Sequence, residues 1–111
     1  MDIVFSTKKL EKLCNDDRLA RRVWGKAQAE VLARRLDELR AAPTLESMRG
    51  LPGRLHELVG DHAGQLAMVL KGGDRLIIEP AHEPPPTKLD GGLDCRQVTA
   101  VRVVSVEDYH G

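Results

Sequence analysis

Residues 65–80 read QLAMVLKGGDRLIIEP, two apolar runs on either side of Gly72-Gly73-Asp74. Each run is short enough for a strand and rich in residues that favour one, and the Gly-Gly-Asp bend supplies the backbone freedom of a tight hairpin. An antiparallel pair is therefore the anchor of the fold. Upstream, RLHEL (54–58) reads as a further strand, set off by the turn-rich VGDHAG (59–64). Downstream, AHEPPPTKLDGGLDC (81–95) contains Pro84, Pro85 and Pro86, which offer no backbone donors, so residues from about 81 to 95 form an extended excursion rather than a central strand. RQVTAVRVVSVEDY (96–109) then resumes a long β-branched strand.

The first half has a different period. DIVF (2–5) is a short β-prone run, followed by Ser6 as a helix N-cap, with Phe5 and Leu10 placed as a hydrophobic staple. CNDD (14–17) interrupts the helix that follows. From Asp17 to Ala42, Leu19, Val23, Ala27, Val31, Leu32, Leu36 and Leu39 recur at helical spacing, which predicts one long amphipathic helix ended by Pro43. Gly25 inside it costs about 1 kcal/mol relative to alanine and so marks close packing or a slight bend. Trp24 is assigned to the core or to helix packing. The order β-α-α followed by antiparallel strands defines an α+β domain over residues 1–111, with both helices on one face of the sheet. The expected core joins Leu19, Val23, Val31, Leu36 and Leu39 to Leu70, Leu76, Ile78 and Val101 or Val103.

A chain of 111 residues buries roughly 60–70% of its extended surface, enough for one core without disulfides or metal. Seventeen Lys and Arg balance 17 Asp and Glu, so attraction to nucleic acid must come from local clusters. Cys14 and Cys95 have no CxxC partner and read as free thiols in a reducing compartment. MDIVFSTKKL lacks the apolar region of a signal peptide, and no later run is long enough to span a bilayer. A cytoplasmic location is expected.

His56, Asp61 and His62, even with His82, Cys95 and His110 added, match no zinc spacing, so no metal and no cofactor is expected. No glycine-rich loop opens a helix after a strand, and Ser6, Ser47 and Ser105 lack a nucleophile context. Arg18, Arg21, Arg22, Arg34 and Arg35 are read as a solvated helix face, because Asp37 and Glu38 interrupt them and one Trp, one Tyr and one Phe leave little for base stacking. Arg54, His56, Lys71 and Arg75 fall on successive strands, and Tyr109-His110 closes the last. Two readings stay open at this point. These are ordinary solvated strand residues, or they converge on one sheet face as parts for RNA cleavage, with acid–base groups for the ribose hydroxyl and leaving oxygen and cations for the phosphorane.

The run LPGRLHELVGDHAGQLAMVLKGGDRLIIEP (51–80), followed by VRVVSVEDYHG (101–111), resembles the HigB-like branch of the RelE/ParE superfamily of bacterial toxins. The resemblance is ordered along nearly the whole chain. Its specific elements are the Leu-Pro-Gly turn with His56 four residues after Pro52, the Gly60-Asp61…Gly64 bend, the Arg-Leu-Ile-Ile-Glu-Pro strand and the terminal Glu-Asp-Tyr-His. It implies a compact sheet with two N-terminal helices, ribosome-dependent mRNA cleavage, and neutralisation by a cognate antitoxin, expected to be a helix-turn-helix protein. His56 looks like the family histidine after the Leu-Pro-Gly turn, Arg75 like the arginine following the hairpin bend, and Tyr109 and His110 like the C-terminal pair. The leading reading takes His56 and His110 as candidate acid–base groups, Tyr109 as assisting, Arg75 as binding or stabilising the scissile phosphate, and Arg54 and Lys71 as RNA-binding residues. The chain departs from the family pattern at Val59, where a lysine is frequent, and across Leu66–Leu70, where active relatives carry an arginine. Each missing cation, if equivalent to an oxyanion-hole donor, lowers the rate by about 10²–10³. Two alternatives therefore stand beside cleavage: a toxin-fold binding protein without catalysis, and inhibition of DNA gyrase by protein contact.

Overall fold

The computed structural model describes residues 1–108; Tyr109, His110 and Gly111 lie outside the described residues. In chain order the elements are β1 (Asp2–Phe5), α1 (Lys8–Asn15), α2 (Asp17–Trp24), α3 (Lys26–Ala41), β2 (His56–Glu57), β3 (Leu66–Val69), β4 (Asp74–Pro80) and β5 (Ala100–Asp108). One mixed sheet runs β1-β5-β4-β3-β2. The hairpin read from residues 65–80 is its centre, with Met68 opposite Leu76 and Val69 opposite Arg75. β4 and β5 pair along most of their length, and a bulge at Val104 shifts the register between Ile77, opposite Ser105, and Ile78, opposite Val103. β1 is the single parallel partner, placed beside β5 after the chain has crossed over through helices and hairpin.

Alternation along the strands divides the sheet into two faces. Leu66, Met68, Leu70, Leu76, Ile78, Val101 and Val103 point toward α3, where Leu32, Leu36 and Leu39 complete a buried core with Leu45, Met48 and Val98. The α+β class, the helices on one face and most of the expected core follow as read. The expected core contacts at the start of the helical region do not. Val23 is 54% exposed and Leu19 only half-buried, because Gly25 ends one helix and begins another. Its φ of 85° and ψ of 161° break the helical path, so the 3.6-residue phase of α2 does not carry over into α3. Gly25 is neither a bend within one helix nor a close-packing site, since nothing lies within 4 Å of where a Cβ would stand. Trp24 packs against the core as expected.

Two other readings shift. Thr7, not Ser6, caps α1, its hydroxyl accepting from the Leu10 amide at 3.1 Å, while Ser6 Oγ donates to the Val104 carbonyl at 2.8 Å and ties β1 to the bulge. Arg35 does not belong to a solvated face. It is 7% exposed and hydrogen-bonded inside the fold, whereas Arg18, Arg21, Arg22 and Arg34 are exposed. The excursion turns back on itself through a bridge between Thr87 and Leu93 and a bond from the Lys88 amide to the Gly92 carbonyl, then returns to β5. Among the described residues, no helix is long and apolar enough to cross a membrane.

Both cysteines are free thiols, Cys14 half-buried and Cys95 buried. Burial pushes the Cys14 thiol up to about 11, against a smaller opposing pull from the Arg40 guanidinium. The folded protein thus retains a proton that the unfolded chain has already released near pH 9. This contribution to stability is full below pH 9 and is lost as pH rises through about 11. Urea unfolding between pH 9 and 11 should show a stability decline that is shallower in Cys14→Ala; identical slopes would remove the thiol as a cause.

Gly25→Ala should destabilise the protein by about 1–3 kcal/mol although the space beside it is open, because alanine rarely adopts this backbone conformation. A urea midpoint equal to that of wild type would show that the junction relaxes without cost.

Candidate functional site

The strand positions bring two of the sequence-predicted residues together. His56 lies opposite Ala67, Ala67 opposite Ile77, and Arg75 two residues before Ile77, so all share the sheet face turned away from α3. His56, Leu58, Ala67 and Arg75 line an open depression of about 330 Å³ on that face. Its floor is the Ala67 methyl, 1% exposed, flanked by a histidine on the edge strand and an arginine on the central one. Arg54 and Lys71 are both exposed but are not among the lining residues; Lys71 sits in the hairpin turn. Tyr109 and His110 lie outside the described residues. The last described residues of β5, Glu107 and Asp108, stand opposite Arg75 and Asp74.

The imidazole of His56 is held in a defined orientation. Its Nδ1 is 3.1 Å from the Arg54 carbonyl, and since a carbonyl can only accept, Nδ1 carries the hydrogen and donates. Nε2 is then the nitrogen left to exchange a proton with a ligand. The carbonyl reaches this position because Arg54 has a φ of 52°, a left-handed conformation that turns the chain sharply between the Leu-Pro-Gly turn and β2. Arg75 is also constrained, its Nη1 donating to the Asp74 carbonyl at 2.9 Å.

Sequence reasoning missed the residues that hold these two in place. At Val69 the outer edge of β3 has run past the two-residue β2, which would leave a backbone donor and acceptor without strand partners. The Val69 amide instead donates to the Gly53 carbonyl at 2.6 Å, and Arg35 Nε donates to the Val69 carbonyl at 3.0 Å. Arg35 also pairs with Glu38 at 3.2 Å, so its buried charge is compensated. Gly53 is glycine for lack of room: a Cβ would stand 2.9 Å from the Met68 methyl and 3.1 Å from Arg35 Cδ. Two residues beyond Val69, in the hairpin turn itself, Gln28 accepts from the Lys71 amide at 2.9 Å and donates to the Lys71 carbonyl at 3.1 Å and to the Asp74 carboxylate. A signal for both existed in the sequence. Gln28, Leu32, Arg35 and Leu39 repeat at four- and three-residue steps, which places the two polar residues on the buried stripe of α3.

The imagined metal ligands do not gather. His62 Nδ1 meets Gln65 Oε1 at 3.3 Å, and His82 Nε2 accepts from the Thr99 amide at 3.0 Å, pinning the excursion to the start of β5. Among the described residues no three His, Cys, Asp or Glu side chains are grouped so as to hold a metal ion.

Helices on one face of a five-stranded mixed sheet, with a depression on the opposite face beside the edge strand, define a small α+β fold shared with a solved toxin structure. A solved structure with this fold is a YoeB/ParE toxin from Agrobacterium tumefaciens, which superposes with a TM-score of 0.62 at 11% sequence identity, over 99% of this chain and 100% of that one. No family model matches the chain. No curated protein matches it in sequence.

The tight approach at Gly53 yields a test of the site's support. Gly53→Ala should lower stability by about 1–2 kcal/mol, because the added methyl displaces Met68 or Arg35 within a filled core. Equal urea midpoints for this variant and wild type would mean that both neighbours yield freely.

Proposed function

We propose that this protein is the toxin-like component of a type II toxin–antitoxin pair and that it cleaves mRNA on the ribosome, in the cytoplasm, without a metal ion or cofactor. The observation that carries this reading is the shared depression of His56 and Arg75, with the imidazole oriented so that Nε2 is the nitrogen left for proton exchange. In the proposed reaction the ribose 2′-oxygen attacks the adjacent phosphorus and the bond to the 5′-oxygen breaks. One histidine accepts the 2′-hydroxyl proton and another group protonates the leaving oxygen. His56 and His110 are assigned to these acid–base roles, with Tyr109 assisting. Arg75 stabilises the charge that accumulates on the phosphorane oxygens. Arg54 and Lys71, outside the depression, are assigned to flanking phosphates. The partner is a cognate antitoxin, proposed to be a helix-turn-helix protein. The HigB-like assignment within the superfamily belongs to this proposal and rests on the Leu-Pro-Gly turn, His56 and the Glu-Asp-Tyr-His end.

Two observations favour a second reading, a toxin-fold binding protein without catalysis. Residues 66–70 carry no arginine, where active relatives commonly have one, and Val59, 84% exposed, stands where the family often has a lysine.

Induced expression in a bacterial host, with growth measured and transcript ends mapped, separates the two readings. Cleavage should appear with wild type and fall by about tenfold or more in His56→Gln and Arg75→Ala while both remain folded. Normal growth with unchanged transcripts, in cells containing folded wild-type protein, would favour the binding protein. Equal cleavage by wild type and both variants would remove these residues from the mechanism.

A further inference from the structure

Among the described residues the buried polar or charged side chains are two, Gln28 and Arg35, each 7% exposed and seven positions apart on α3. Seven residues make two helical turns, about 10 Å of rise, and bring both side chains to one stripe. Both bind the same β3–β4 hairpin, at different places. Gln28 holds the turn through both backbone groups of Lys71 and through the Asp74 carboxylate. Asp74 in turn offers its carbonyl to Arg75. Arg35 holds Val69, whose amide holds Gly53, one residue before Arg54, whose carbonyl orients His56. One anchor therefore leads to the guanidinium of the depression and the other to its imidazole.

We propose that Gln28 and Arg35 are positioning residues, and that α3 acts through them as a ruler fixing the separation and orientation of His56 and Arg75. Neither side chain touches the depression. Their location argues for a role beyond filling space. An apolar side chain at position 28 or 35 would continue the stripe of Leu32 and Leu39, whereas each of these residues bonds backbone of the β3–β4 hairpin whose further contacts lead to the site. Two attachments on one rigid element restrain the hairpin turn and the outer edge of β3 together, in addition to the strand pairing that holds Arg75 in the sheet.

The inference rests on the proposed RNA cleavage for its kinetic readout and on nothing beyond the fold for its structural one. Gln28→Met keeps a side chain of similar length and Arg35→Met keeps the apolar stem of the arginine, and both remove the donors. Arg34→Ala, on the exposed face, serves as the control. In the folded variants, NMR signals of the His56 ring and the Arg75 Nε–H should shift or broaden relative to wild type and to the control. Cleavage of an RNA substrate should lose about tenfold in kcat with KM changed by less than about twofold, since misplacement costs chemistry rather than binding. Arg35→Lys, which keeps a cation beside Glu38 but loses the guanidinium's fixed geometry, should fall short of wild-type kcat even if Arg35→Met fails to fold. His56 and Arg75 signals matching wild type in all folded variants, or unchanged kcat in them, would overturn the proposal. Absence of cleavage by wild type together with displaced signals in the variants would instead reject the proposed ribonuclease and leave the ruler standing.

Discussion

The exposed face of the sheet depends on a hydrogen bond made from behind it, between the Arg35 guanidinium and the Val69 carbonyl at 3.0 Å. An edge strand two residues long cannot satisfy the whole outer edge of its neighbour, and an unpaired backbone group in a buried setting costs about 1–3 kcal/mol. Arg35 and Gly53 together close that edge where β2 ends. The solution has consequences for sequence. A Cβ at position 53 would press on Met68 and Arg35, Glu38 balances the buried cation, and a left-handed Arg54 returns the chain to β2. The Leu-Pro-Gly turn is thus structural in cause. It also fixes where His56 stands on the edge strand, because that residue follows from where the turn releases the chain.

The hairpin of residues 65–80, the long last strand and the apolar stripe of α3 were legible because each rests on local composition and period. The break at Gly25 was not. A glycine at that position reads equally as a tolerated interruption, a bend or a junction, and only its backbone angles distinguish them. The consequence reached the core, since Val23 had been aligned in phase with Val31 and Leu36 across a junction that resets the phase. Arg35 is a different case. Its four- and three-residue spacing from Leu39 and Leu32 marks the buried stripe, but a charged residue beside Arg34, Asp37 and Glu38 reads as surface, and the need for a donor at Val69 is tertiary.

The candidate site was half legible. Residues distant in sequence were expected to converge on one sheet face, and His56 and Arg75 do so because β2, β3 and β4 are in register across that face. Arg54 and Lys71 share the same strands in the sequence reading but fall at a turn and a hairpin bend, where strand alternation no longer determines which way a residue faces. The orientation of His56 was beyond sequence altogether, since it depends on the carbonyl of a residue with positive φ.

Charge and position contribute differently to a site of this composition. The lining contains one arginine, an apolar floor and a histidine, and Glu107 stands opposite that arginine on β5. A preorganised donor aimed at developing charge is worth about 10²–10³ in rate, so under the proposed cleavage a depression lined by one arginine has little electrostatic reserve. Orientation is the other large term, with effective molarities that correspond to about 7–11 kcal/mol of barrier when reacting groups are held in near-attack geometry. Under the proposed RNA cleavage, a site poor in cations must therefore draw more of its rate from holding the groups it has. The placement of both buried polar side chains of α3 on the hairpin that carries Arg75, one of them linked through Val69 and Gly53 to His56, meets that requirement.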